Sequence, residues 1–324
     1  GRDDILQQSY AYCSILFFGG LLLWLSGSLS AALRGMGNMR FPATLMIVAS
    51  FLQVILSGGF ILGWYGFPKF GVSGAAIATL ISSLLMVSII LIKLFGKSVP
   101  ARLKRSQFIL SKKLFSNIFE VAIPASASPL LTVGTILVLT GLVGTFGTEA
   151  LAGYGIGSRV EFLMIPLIFG IGTAMTSIVG ANIGANNIER AETVGIYGGS
   201  TAGIVSIFIG LTLALFPDLW IQYFTNDPKA FEVTKTYIQL VGPFYIFQGV
   251  GLSLYFASQG ANAMKWPTIA TVARFLIASI GGSVSVYWLG LGIESIFLSS
   301  SIAMMIFGVT IFVSIKRGAW RKAS

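Results

Sequence analysis

Arg34-Gly35-Met36-Gly37-Asn38-Met39-Arg40-Phe41-Pro42 has a diverged second copy in the chain, Gln259-Gly260-Ala261-Asn262-Ala263-Met264-Lys265-Trp266-Pro267. At a fixed offset of 225, Gly35 matches Gly260, Met39 matches Met264, Arg40 matches Lys265, Phe41 matches Trp266 and Pro42 matches Pro267. Each copy is a short polar joint between long apolar runs. A second echo, Gly71-Val72-Ser73-Gly74 against Gly292-Ile293-Glu294-Ser295, has an offset of 221, which implies a four-residue deletion in one connecting loop. Repeats of about 20–50 residues build solenoids. A period above about 200 residues implies two fused half-domains instead.

Composition sets the solvent. Apolar residues make up 55% of the 324 and charged residues 10%, whereas soluble domains carry about 25% charged residues. The chain therefore reads as an all-α polytopic membrane protein. The net charge of +10 invites a nucleic-acid reading, but its distribution argues for membrane orientation, and no nucleic-acid partner is expected. The chain has no His and one Cys, Cys13. That leaves no internal disulfide and no His or thiolate metal site, so neither a metal nor a cofactor is expected.

A membrane-spanning helix needs about 20 apolar residues. Nine runs qualify: 8–33, 42–66, 72–95, 115–145, 149–180, 189–216, 229–260, 267–289 and 292–316. Pro42 and Pro267 fall in first turns, where a missing N–H does no harm. Lys97, Arg102, Lys104, Arg105, Lys112 and Lys113 crowd the loop after the third run. Lys316, Arg317, Arg321 and Lys322 follow the ninth, and Arg34, Arg40 and Lys265 lie in the duplicated joints. If the runs alternate in direction, these cations share one side, the cytoplasm. The opposite side mixes Lys69, Lys229 and Lys235 with Asp218, Asp227 and Glu232. The expected location is a bacterial-type plasma membrane with the C-terminus inside.

Runs one to three match runs seven to nine, while four to six have no upstream partner. The expectation is that three helices precede this sequence and that the whole protein has twelve, in two pseudo-symmetric six-helix lobes. Residues 1–96 would be the C-terminal half of the first lobe and 97–113 a basic linker containing Pro100. Residues 114–318 would be the complete second lobe and 319–324 a basic tail.

Several local patterns resemble one family. Val179-Gly180-Ala181-Asn182-Ile183-Gly184-Ala185-Asn186-Asn187-Ile188-Glu189-Arg190-Ala191 is similar to a "VGQNxGAxNxxRA" turn of the multidrug and toxic compound extrusion (MATE) transporters. Leu33-Arg34-Gly35-Met36-Gly37 resembles the "LRGxG" after that family's fourth helix, and 71–79 resembles the "GxxGAAxAT" opening its sixth. Arg159-Val160-Glu161 resembles an "RxE" element in the eighth helix of one branch. The resemblance runs from the family's fourth helix to its twelfth. It implies export of amphipathic or cationic compounds in exchange for protons or sodium ions, by rocking of two lobes about a central cavity. It also implies no enzymatic activity and no cofactor beyond the coupling ion.

Ionisable groups at membrane depth are functional candidates. Asp3, Asp4, Glu149, Glu189, Glu192, Asp218 and Asp227 lie at helix ends or in loops and read as solvated surface. Glu120 lies near the start of the fourth run, where it would complement a helix N-terminus or take part in coupling. Glu161 is about 18 Å from the outer end of the fifth run at 1.5 Å per residue, near the bilayer midplane. It reads either as a proton carrier, because burial disfavours a charged carboxylate, or as a structural partner of another helix. A contact with Arg159 would need a bent route, since residues two apart face differently.

Against the family pattern the acidic positions are neutral here. An Asn and an Asp of one branch's fifth helix fall at Gln53 and Ser57. The tenth-helix aromatic and Asp of another branch fall at Phe244 and Gln248, and its seventh-helix acid falls at Thr132. Polar stripes remain at Gln53 and Ser57, at Ser128, Thr132 and Thr135, and at Tyr245, Gln248, Tyr255 and Gln259. They read as cavity lining or as hydrogen-bonded helix contacts. Pro124, Pro129 and Pro166 interrupt apolar runs and are hinge candidates.

Proton coupling is expected ahead of sodium, because a sodium site needs several oxygen ligands and the matched acids are absent. An alternative is a flippase for lipid-linked oligosaccharides, whose diphosphate would call for several cations at depth; only Arg159 and Arg274 qualify. A non-transporting scaffold is the remaining reading. The expected partners are a small amphipathic substrate and the bilayer, with the chain a monomer.

Overall fold

The computed structural model describes residues 2–96, 99 and 111–321. The linker residues Lys97, Pro100, Arg102, Lys104 and Arg105, the tail residue Lys322 and the side chains of Asp3 and Asp4 lie outside the described residues. The chain divides into two compact units, Gly1–Leu110 and Ser111–Ser324.

Unit one holds α1 (Arg2–Phe18), α2 (Gly20–Gly35), α3 (Arg40–Leu62), a 3-10 turn (Trp64–Gly66) and α4 (Val72–Phe95). Its first apolar run is not one straight helix, because Leu6–Phe18 and Gly20–Gly35 meet at 49° about Gly19. Leu80 of α4 packs into that bend, 2.3 Å from where a Gly19 Cβ would stand. Gly74 admits α3 equally closely, since a Cβ there would meet the Phe60 carbonyl at 2.6 Å. Leu33, Leu45, Met86, Ile90 and Leu94 form the unit's core.

Unit two holds α5 (Lys112–Gly144), α6 (Thr148–Gly184), α7 (Ile188–Leu215), α8 (Asp218–Ile221), α9 (Pro228–Val241) and α10 (Tyr245–Gly260). Then come α11 (Lys265–Leu276), a π-helical turn (Ile277–Gly281), α12 (Gly282–Tyr287) and α13 (Ile293–Lys316). Asp227 caps α9 by accepting from the Ala230 N–H at 2.8 Å, and Pro228 follows in the first turn, where its fixed φ suits a helix start. Helix α10 is the axis of the unit. Glycine brings backbone against backbone on three sides of this segment, as small residues do where no water drives helices together. A Cβ on Gly260 would lie 2.2 Å from the Thr176 carbonyl of α6, and one on Gly308 of α13 would lie 2.4 Å from that of Phe247. One on Gly210 of α7 would lie 2.1 Å from the carbonyl of Gly242, in the turn before α10.

The duplicated joint is one turn built twice. Gly37 at φ +80° and Asn262 at φ +53° occupy equivalent left-handed positions. In the first copy Asn38 N bonds to Leu33 O at 3.0 Å, and in the second Ala263 N bonds to Ser258 O at 2.9 Å. This is the Schellman closure, which satisfies the last carbonyls of a helix and requires a residue that tolerates positive φ. The ends of α6 and α13 close in the same way, through Asn186 at φ +57° and Gly318 at φ +77°.

Among the described residues, eight helical spans are long and apolar enough to cross a membrane, and the bent α1–α2 pair makes a ninth if taken as one span. The chain is thus an all-α polytopic membrane protein whose spans coincide with the apolar runs of the sequence. The tail differs from expectation at one residue. Trp320 is fully buried: it packs on Gly195 of α7, and its indole N–H donates to Ser258 Oγ at 3.2 Å.

Candidate functional site

Unit two holds a partly open cavity of about 320 Å³ between α5, α6, α9, α10, α11 and α13. Its geometry starts from glycines. Gly153 and Gly157 sit one turn apart on α6 and let α9 lie directly on it. A Cβ at Gly153 would meet the Ala230 carbonyl at 2.6 Å, and one at Gly157 would meet Tyr237 Cδ1 at 2.5 Å. Thr234 fixes the register by donating to the Gly153 carbonyl at 2.9 Å. One turn beyond Gly157, this approach brings the Tyr237 hydroxyl to Glu161, to whose Oε1 it donates.

An aromatic cluster holds Tyr237 in place. Its ring meets Tyr154 at 5.5 Å and Phe297 of α13 at 5.1 Å, both in the edge-to-face geometry that aromatic pairs favour. Arg274 enters the same cavity from α11. Its guanidinium lies 5.5 Å from the Phe307 ring centre, within reach of a cation–π contact. Glu161 and Arg274 are the acid and the base among the lining residues. The ion pairs formed by the described residues, Lys235–Glu232 and Arg321–Glu192, include neither of them.

Hydroxyls and one amide complete the wall. Thr132, Thr135 and Thr140 of α5, Ser158 of α6, Gln248 of α10 and Ser300 of α13 all reach it. Thr132 and Thr135 donate to the carbonyls of Ser128 and Leu131 one turn back, at 2.9 and 2.8 Å. Gln248 is 6% exposed and its Oε1 has no hydrogen-bond partner among the described residues. The fully buried Tyr245 hydroxyl, one turn before it, lies by the Tyr237 hydroxyl. A buried polar atom left as Gln248 Oε1 is left is costly.

Glu161, Thr132, Thr135 and Gln248, widely separated in sequence, thus line one cavity, with Tyr245 beside Gln248. The other candidates lie elsewhere. Glu120 is exposed at the start of α5, beside Lys112, Phe119 and Ile123. Gln53 and Ser57 belong to α3 of unit one, where Gln53 Nε2 donates to Thr79 Oγ1 of α4 at 2.9 Å. Tyr255 donates to the Ala125 carbonyl at 2.8 Å, tying α10 to α5, and Ser128 lies one turn before Thr132. Phe244 sits in the turn before α10, its ring 6.2 Å from that of Phe247. Arg159 is exposed, 5.4 Å from the Phe224 ring, on a different face from Glu161. Helix α5 continues through Pro124 and Pro129, and α6 through Pro166.

Tyr154 and Tyr237 were not singled out by the sequence. The polar stripe that holds Tyr245 and Gln248 extends back eight residues to Tyr237, about two turns, but the Gly242–Phe244 turn interrupts it. Arg274 carried its own signal as a lone cation within an apolar run.

The MatE family profile matches residues 124–284, which contain most of the cavity. The probable multidrug resistance protein NorM of Thermotoga maritima is 28% identical over 99% of this chain and 69% of its own length. The probable multidrug resistance protein YoeA of Bacillus subtilis is 24% identical over 83% of this chain and 59% of its own length. A solved outward-facing conformation of a multidrug resistance MATE family transporter of the MOP superfamily superposes with a TM-score of 0.86 at 25% identity, covering 96% of this chain and 70% of that one. The chain therefore spans about 60–70% of the length of these relatives.

Proposed function

The chain belongs to the MatE family, and on that premise we propose that it is the core of a secondary active transporter exporting amphipathic, including cationic, small molecules. The observation that carries the reading is the unit-two cavity, which combines an aromatic wall with a single carboxylate, Glu161, at membrane depth. Counted along α6 from Thr148, Glu161 is about 20 Å in at 1.5 Å per residue. A carboxylate held there is expensive unless it binds a cation or a proton.

Export is by exchange for a cation, and protons are favoured over sodium. Sodium sites rely on several carboxylate or carbonyl oxygens, whereas beside its hydroxyls and one amide this cavity offers a single carboxylate, which already accepts from Tyr237 and shares the space with a guanidinium. A proton needs only Glu161. Moving one charge through 100 mV supplies about 2.3 kcal/mol, enough to concentrate a substrate about fiftyfold. Access alternates as two lobes rock; unit two is read as one complete lobe, 114–318, and residues 1–96 as part of the other. The membrane is a bacterial-type plasma membrane with the C-terminus in the cytoplasm and the protein a monomer. No catalytic step is proposed. A lipid-linked oligosaccharide flippase is disfavoured by the single guanidinium in the cavity.

The test is flux of a panel of fluorescent amphiphiles from proteoliposomes under an imposed proton gradient, a sodium gradient, or neither. Proton-dependent acceleration of at least fivefold is expected. Acceleration by sodium alone would overturn the proton assignment, and none under either gradient would overturn antiport.

A further inference from the structure

We propose that Arg274 is a second substrate-binding residue, and that the cavity selects an amphiphile bearing an ammonium and a carboxylate, the ammonium at Glu161 and the carboxylate at Arg274. This rests on the reading of the unit-two cavity as the transport site.

The argument begins with charge. Helix α6 contributes Glu161 and Tyr154 to the wall, α9 contributes Tyr237 and α11 contributes Arg274, while Tyr245 of α10 is fully buried by Tyr237. The lining residues of α5 (Thr132, Thr135, Ile136, Leu139, Thr140) and of α13 (Ser300, Met304) do not ionise. Tyrosine is neutral near pH 7. With Glu161 ionised, the cavity therefore carries one negative and one positive group and no net charge. A bare organic cation is drawn to the carboxylate and repelled by the guanidinium across the same low-dielectric space, so the two effects oppose each other. A bare anion faces the mirror problem. A molecule with both charges gains at both ends, provided its dipole follows the cavity's own.

The groups that carry the charges fit this assignment. Tyr237 donates to one oxygen of Glu161, and the second oxygen of a carboxylate can accept from an ammonium. Arg274 presents a planar fork of donors that matches a carboxylate in a bidentate pair, and it belongs to no ion pair formed by the described residues. Tyr154, Phe162, Ile136 and Leu139 line the same cavity and supply an aryl or alkyl surface for the substrate's body.

The assignment also makes exchange intrinsic to the site. The ammonium binds the ionised Glu161. A proton arriving there removes the ammonium's counter-charge and leaves Arg274 positive, so proton and ammonium compete for one carboxylate. Binding of both together is disfavoured, as antiport demands.

The experiment measures binding of three matched probes to the purified protein in nanodiscs by dansyl fluorescence. They are Nε-dansyl-lysine with both charges, its methyl ester with the ammonium only, and its Nα-acetyl derivative with the carboxylate only. Nε-dansyl-lysine should bind at least tenfold more tightly than either derivative. Arg274→Gln should weaken it at least tenfold, while the ester, relieved of the guanidinium's repulsion, binds at least as tightly as it does to the wild type. Arg274→Lys, which keeps the charge, should retain a preference for the doubly charged probe. The proposal is overturned if the wild type binds the ester as tightly or binds none of the three. It is equally overturned if Arg274→Gln weakens all three alike, or if Arg274→Lys abolishes the preference. Proton-driven flux of the dye panel without this preference would defeat the charge assignment alone. The preference without proton-driven flux would defeat the transport reading and leave the site as a binding site.

Discussion

Tyr237 and Tyr255 use the same hydroxyl for opposite ends. Tyr237 donates into the cavity, to Glu161, whereas Tyr255 donates to the Ala125 carbonyl and joins two helices. Tyr237→Phe should lower proton-driven flux at least fivefold, because it releases the carboxylate from its held position. Tyr255→Phe should leave flux within twofold and cost about 1 kcal/mol of stability, the usual contribution of one hydrogen bond; paired flux and thermal-unfolding measurements check both. Equal loss of flux in the two variants would mean that Tyr237 is merely structural. At this scale the sequence was partly legible. Glu161 could be found by depth alone, since an acid near a bilayer midplane is rare. Tyr237 could not, because a tyrosine in an apolar run is indistinguishable from core until its partner is known. Gln53 had the same ambiguity: its amide bonds Thr79 on the neighbouring helix, a partner 26 residues away that no spacing rule identifies.

Helix crossings depend on glycines whose importance the sequence does not rank. Gly260 and Gly210 each face a backbone carbonyl at a distance no Cβ can occupy, and Gly141 faces open space. Gly210→Ala and Gly260→Ala should each destabilise the protein by about 1–3 kcal/mol through overpacking. Gly141→Ala should be neutral or slightly stabilising, since alanine is the better helix former by about 1 kcal/mol. Thermal unfolding in detergent distinguishes the two classes; similar values for all three would contradict the crossings. The spans themselves were readable to within a few residues, because lipid demands long apolar runs. Their interruptions were not. Gly19 bends the first run and Ile277–Gly281 adopts a π turn with residues as apolar as their neighbours, while the seventh splits at Gly242-Pro243-Phe244, whose proline looks no different in sequence from Pro124 or Pro129. Pro124, Pro129 and Pro166, the obvious candidates for breaks, leave their helices continuous.

For the whole molecule, the duplicated joint was the most informative stretch, and the structure gives it a physical meaning. Its conserved feature is a backbone turn with one left-handed residue, met by Gly37 in one copy and Asn262 in the other. This explains why the copies differ at that position yet fold alike. Fold class followed from composition and family from short motifs. The tail reading was incomplete because Trp320, which docks on α7 and α10, sits among cations, and because the partner of Arg321, Glu192, lies 129 residues away. The account's central claim is that Glu161, in the unit-two cavity, couples substrate export to proton entry. The most direct measurement is proton-driven efflux from proteoliposomes by the wild type, Glu161→Gln and Glu120→Gln, at matched protein content. Glu161→Gln should lose at least 90% of the proton-dependent rate, a change of about 1.4 kcal/mol or more, while Glu120→Gln stays within twofold of the wild type. Undiminished proton-driven flux in Glu161→Gln would contradict it.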